Sequence, residues 1–221
     1  MMLPAAEFIP DIVLERRALH LIREYERQRS ARVILPVPIE KMIEQTLELQ
    51  VVWLPIQEAP GEIILARIDP AYNGQRTIQM NEYRQDHFQE FFGTEAYSLA
   101  HEAGHWVLHL NRGRSHQQAL PGLDISPIRD PMLCRRMNDA DRREFQSERF
   151  AAFLLMPEYL MNDAIPNWDL TRWSAIADLA RWCGVSKRAM TRRLQELGKI
   201  VVRPDGRLSL PSYRKDVERL L

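Results

Sequence analysis

Between Leu99 and His109 the chain reads LAHEAGHWVLH, three histidines and a glutamate set inside an otherwise apolar run. The histidines are four residues apart, which on an α-helix places them along one side, about a turn from each other. Leu99, Ala103, Trp106 and Leu110 recur at helical intervals beside them, so the row of imidazoles borders a buried face. Titratable groups in such a place are costly unless they are paired or bound to a metal. This helix therefore needs partners from elsewhere in the chain.

His101 and His105 can both reach one ion, while Glu102 is offset by one residue and lies beside it. This is the H-E-x-x-H arrangement, in which a metal acidifies a water and the glutamate takes the proton. Two imidazoles, a carboxylate and an open position suit Zn2+. His109 continues the series but stands eight residues from His101, a rise of about 12 Å. Two ligands of one zinc are only about 3–3.5 Å apart. His109 is thus expected beside the site rather than on the ion, and the third ligand has to come from another element.

A second long helix is predicted over 139–156, DADRREFQSERFAAFLLM, stopped by Pro157. It offers Asp141, Glu144 and Glu148 on neighbouring turns, and the residues alone do not choose between Glu144 and Glu148. Residues 112–138, rich in Gly, Pro, Ser and Arg, read as a loop or flap between the two helices. Tyr97, His109, Tyr83 or an arginine of that loop are the donors available to an oxyanion.

Upstream, 11–30 reads as an amphipathic helix with Ile12, Leu19, Ile22 and Tyr25 toward the core, and Ile39, Met42, Ile43 and Leu47 mark another after Pro38. LQVVWLP, GEIILARID and QRTIQMN, separated by EAPG and PAYNG, predict a small, mainly antiparallel sheet of about three strands. QRTIQMN is a candidate edge on which an extended substrate could lie.

Downstream the pattern changes. Ile176, Leu179, Ala180 and Cys183 line one helix, Met190, Leu194 and Leu197 a second, and CGVS lies between with Gly184 as C-cap and Ser186 as N-cap. This is a helix-turn-helix pattern. The second helix presents Lys187, Arg188, Thr191, Arg192 and Gln195, types that contact phosphates and bases. Although the whole chain has no net charge, 12 Lys/Arg face 5 Asp/Glu from Thr171 onward, a surplus of seven that the first 170 residues offset. Trp168, Trp173 and Trp182 are expected as packing residues. Cys134 and Cys183 stand far apart and make no disulfide framework. The first residues lack the apolar core of a signal peptide, and the longest apolar run is Phe150–Met156, so a cytoplasmic location is expected.

HEAGHWVLH followed by EFQSERFAAFLLMP resembles the ImmA/IrrE family of metallo-endopeptidases, whose pattern is H-E-x-G-H-x-x-L-H and then E-x-x-A-N-x-F-A-x-x-L-L-M-P. PVPIEKMIEQTLELQVVWLP, RTIQMN and LARWCGVSKRAMTRRLQELGKI are similar to that family's helix, strands and helix-turn-helix-like segment, so the likeness covers roughly 31–200. It departs at Ser147 and Glu148, where Ala and Asn are usual.

The resemblance implies an α+β chain. An N-terminal amphipathic helix (1–30) precedes a zincin-like metallopeptidase domain (31–165), a helix-turn-helix-like domain (166–203) and a C-terminal tail (204–221). It implies His101, His105 and Glu144 as zinc ligands and Glu102 as general base, with Glu148 the alternative ligand. The implied activity is regulatory cleavage of a helix-turn-helix transcriptional repressor encoded nearby. The alternatives are a DNA-binding regulator or a toxin–antitoxin component whose metal-binding domain cleaves weakly or not at all.

Overall fold

Helix α1 spans Asp11–Arg29 in the computed structural model, which describes residues 7–110 and 139–211. Its buried side is Val13, Leu14, Ala18, Leu21, Ile22 and Tyr25. The expected stripe through Ile12 and Leu19 is corrected: Ile12 is exposed, on the side opposite Leu14 and Leu21. Ala18, a small residue to which apolar spacing gives little weight, sits on the packed face instead. Helix α2 (Ile39–Thr46) starts directly after Pro38 and buries Ile39, Met42 and Ile43.

Three strands follow, β1 (Gln50–Leu54), β2 (Ala66–Tyr72) and β3 (Gln75–Asn81), in the spatial order β1-β3-β2. β3 runs antiparallel to β2 but parallel to β1. The sheet is therefore mixed, not mainly antiparallel. The connection 55–65 carries the chain past the place beside β1, and β3 then returns into that gap. The return is the turn at Asn73 and Gly74, with φ of 49° and 77°, the pair of positive values that a two-residue hairpin turn requires. β3 is thus the central strand, with Thr77 to Asn81 all buried, and the expectation that QRTIQMN forms an edge is overturned. The edges on either side of it are β1 and β2, and β2 tolerates Pro70 at a register shift between Asp69 and Tyr72.

β2 also begins later than GEIILARID suggests, because side chains hold the preceding segment as a loop. Glu58 accepts from the Ile64 N–H at 2.8 Å and from Arg84 Nε at 2.9 Å. Asn81 accepts from the Ile56 N–H at 3.1 Å and donates to the Ile64 carbonyl at 2.8 Å. Backbone groups that would otherwise seek a strand partner are satisfied there.

Two helices lead into the histidine-bearing stretch, with a break between them. Helix α3 covers Gln85–Glu90 and α4 covers Thr94–His105, which widens into a π-helical turn over Trp106–Leu110. The break falls at Gly93, with φ of 83°, where a Cβ would stand 2.7 Å from the Ser186 nitrogen. No side chain fits there, because another stretch of backbone already occupies the space.

Helix α5 (Asp139–Leu155) is followed by α6 (Glu158–Ala164), α7 (Trp173–Trp182) and α8 (Lys187–Glu196). Ser186 caps α8, its hydroxyl accepting from the Ala189 N–H at 3.2 Å, and Gly184 follows α7 with a φ of 72°. A short hairpin unforeseen in the sequence, β4 (Val201–Val202) and β5 (Leu208–Ser209), comes last. Trp168 and Trp173 are half-buried, but Trp182 is exposed, against expectation. Its neighbours Leu179 and Cys183 carry the packed face of α7.

Buried apolar side chains from Leu14 to Ile200 form one cluster. Arginines bind α8 to it. Arg149 on α5 pairs with Asp11 and Glu196, while Arg193 on α8 donates to the Met156 carbonyl at 3.0 Å and pairs with Glu15. The Phe153 ring lies between these guanidiniums, 4.7 Å from one and 4.8 Å from the other. The chain is α+β, mostly helical with a small mixed sheet, and among the described residues no helix is long and apolar enough to cross a membrane. The connection expected as a flap, 112–138, and the tail residues 212–221 lie outside the described residues.

Candidate metal centre

α4 and α5 cross at Gly104 and Ser147. A Cβ on Gly104 would meet the Ser147 Cα at 3.1 Å, the Ser147 carbonyl at 3.2 Å and the Phe150 ring at 3.3 Å. Small residues on both helices permit this approach, and it brings the histidine side of α4 under the first turns of α5.

There His101 Nε2 lies 3.0 Å from His105 Nε2 and 3.1 Å from Glu144 Oε2, and His105 Nε2 lies 3.3 Å from Glu144 Oε1. Neighbouring donors of a tetrahedral zinc with bonds of about 2.0–2.1 Å stand about 3.3 Å apart. The three side chains therefore converge at metal-ligand separations, and they are the group among the described residues that could hold an ion. An imidazole nitrogen offers one lone pair or one proton in the ring plane. Two such nitrogens and a carboxylate aimed at one point are well suited to a cation. Burial, and after it the neighbouring His101, pushes His105 below the ordinary histidine value. That keeps it in the neutral form a metal requires.

Glu102 is buried, and burial followed by the charge of Glu144 pushes its carboxyl up to about 7. The Ile68 backbone, on edge strand β2, opposes that rise. The base candidate thus sits between the helix and the sheet edge.

The other predicted residues divide plainly. Glu148 is exposed and does not join the three; its charge instead acts on Tyr97. Tyr97 is half-buried with its ring 6.2 Å from that of His101. Burial first, and Glu148 second, push its hydroxyl up to about 12, so it stays a neutral donor. His109 is buried 5.7 Å from the His105 ring and outside the group, while exposed Tyr83 meets Gln57 at 3.4 Å. The candidate loop arginines and the side chain of Asp141 lie outside the described residues. Lys187, Arg188, Thr191, Arg192 and Gln195 come together along α8, outside the group of His101, His105 and Glu144, and line a groove with Trp173.

Sequence reasoning gave Gly104 and Ser147 no role. Their signal is small side chains on two helices of opposite duty, legible only once those helices are known to touch. Ile68 was equally hidden, since it contributes through its backbone.

No family model matches the chain, and no curated protein matches it. A solved structure of a Mycobacterium tuberculosis transcriptional regulator does, with a TM-score of 0.52 and 15% sequence identity, over 87% of this chain and 48% of that one. At that identity the likeness is one of fold, and this chain spans about half the neighbour's length.

Proposed function

We propose that the chain is a zinc-dependent endopeptidase of zincin-like architecture that acts in regulation. The convergence of His101, His105 and Glu144 beside Glu102 carries this reading. The three would hold the ion. When bound, Zn2+ supplies Lewis acidity, lowering the pKa of a water and polarising the scissile carbonyl. Glu102 takes the water's proton on a carboxylate oxygen and returns it to the leaving amine nitrogen. A cation next to Glu102 opposes the upward shift that burial imposes, favouring the carboxylate that a base needs. Tyr97 offers its neutral hydroxyl as a hydrogen-bond donor on the His101 side. β2, the sheet edge whose Ile68 backbone adjoins Glu102, is the place where an extended peptide can add as a further strand.

A helix-turn-helix unit sharing one core with the site supports a regulatory role over a digestive one, and the motif resemblance points to a repressor as substrate. The fold neighbour's description as a transcriptional regulator agrees with that setting.

Metal analysis and cleavage assays on three proteins test the reading, with a repressor encoded beside this gene as substrate. The unaltered chain should bind zinc and cleave, Glu102→Gln should bind zinc without cleaving, and His101→Ala should do neither. A Glu102→Gln protein as active as the parent, or a zinc-loaded parent that leaves the repressor intact, would overturn the proposal. The second of those results would favour a metal-binding regulator that does not cleave.

A further inference from the structure

The groove on α8 contains none of His101, Glu102, His105 and Glu144, although the charge of its Arg192 acts on Tyr97. Its floor and walls are Trp173, Lys187, Arg188, Thr191, Arg192 and Gln195, around a volume of about 610 Å³. Lys187 Nζ lies over the Trp173 ring, 4.6 Å from its centre. The same indole donates its N–H to the Gly206 carbonyl at 2.9 Å, which seats the turn of the β4–β5 hairpin beside the groove. That turn carries Arg203 and Arg207, both exposed, joined by a backbone hydrogen bond from the Arg203 N–H to the Arg207 carbonyl at 2.9 Å. Among the described residues, the carboxylates in ion-pair contact with these five cations are Glu196, 3.2 Å from Arg192 and also held by Arg149, and Asp205, 3.7 Å from Arg207. Cations outnumber them, and Arg188 has no ion-pair partner among the described residues.

We propose that α8 and the β4–β5 hairpin form a winged helix-turn-helix surface for duplex DNA. The polar face of α8 enters the major groove, and Arg203 and Arg207 hold phosphates of the flanking backbone. The face from Lys187 to Gln195 extends about 12 Å at 1.5 Å per residue. It is a single helix, which a major groove about 12 Å wide admits. Arg188, Arg192, Thr191 and Gln195 are types that hydrogen-bond base edges, and the lysine and hairpin arginines are types that neutralise phosphates. An acidic protein helix would need apolar anchors in this groove, and Trp173, the apolar residue of its lining, has Lys187 Nζ over its ring. The chemistry favours a polyanion with a regular groove.

Fluorescence anisotropy of the full chain with a labelled mixed-sequence duplex of about 20 base pairs tests this, titrated with salt upward from about 50 mM. Binding is expected, with log K falling linearly against log salt by about 0.9 per neutralised phosphate. The pair Arg188→Ala/Arg192→Ala should weaken binding at least about tenfold, and the hairpin pair Arg203→Ala/Arg207→Ala should lower the salt slope by about two. Lys187→Glu should also weaken it, while exposed Arg16→Ala on α1 should change nothing. His101→Ala, which dismantles the metal centre, should keep its DNA affinity, so this result stands or falls apart from the peptidase reading. Absence of binding at low salt, affinity unchanged in both arginine pairs, or displacement by poly-glutamate as readily as by unlabelled duplex would each overturn the proposal. The last outcome would make the groove a site for acidic polypeptide.

Discussion

Gly104 and Ser147 touch backbone against backbone, and a Cβ on the glycine would stand 3.1 Å from the serine Cα. Everything the candidate metal centre needs from α5 depends on that contact, because Glu144 lies one turn before Ser147. Gly104→Ala gains about 0.5–1 kcal/mol of helix propensity and loses a comparable amount to crowding, so its melting temperature should move little. Gly104→Val should destabilise by about 1–3 kcal/mol through overpacking and weaken zinc binding, as measured by chelator competition. A valine variant with parental zinc affinity would show that the crossing does not position the ligands.

Two carboxylates a single turn apart should behave differently. Glu144→Ala is expected to lower zinc affinity by at least about a hundredfold, since it removes a direct ligand candidate. Glu148→Ala should leave it within about twofold, because that side chain stands outside the group. The reverse order in a zinc titration would reassign the third ligand.

Gly93 holds a left-handed conformation against the Val185–Ser186 backbone. Gly93→Ala adds about 1–2 kcal/mol of conformational strain to a clash that backbone atoms relieve only by moving. A total loss of about 2–4 kcal/mol corresponds to a drop on the order of 4–16 °C in melting temperature for a chain of this size. A drop under a degree in calorimetry would refute the close approach of α4 to the α7–α8 turn.

Acid should act on the 55–65 connection. Hydrogen bonding from Arg84 first, and from the Ile64 backbone second, lowers the Glu58 carboxyl from 4.5 to about 2. A carboxylate whose folded value is depressed contributes stability above its unfolded value and loses it as pH falls toward the folded one. The melting-temperature gap between the parent and Glu58→Gln should therefore be full above about pH 4.5 and close between there and about pH 2. A gap that does not vary with pH would mean that the Arg84 contact is absent in solution.

Cys183 is buried, and burial pushes its thiol up to about 12. In a Cys134→Ser background it should resist a thiol-specific dye at neutral pH and react fully in denaturant. Rapid labelling of the native protein would contradict the packing of α7.

Local pattern carried much of this protein in its sequence. The spacing of His101 and His105 settles that two imidazoles share a helix side, and Ser186 and Gly184 punctuate the α7–α8 turn, because such signals act within a few residues of one chain segment. Tertiary contact decided what those signals could not. Glu144 and Glu148 are chemically alike, and only the crossing at Gly104 and Ser147 sets one of them against the histidines. The strand segments are recognisable in composition, but β3 became central and the sheet mixed because 55–65, pinned by Glu58 and Asn81, carries the chain past its nearest neighbour. Strand order and helix crossing are set by contacts between residues far apart in the chain, and periodicity carries no record of distance across space.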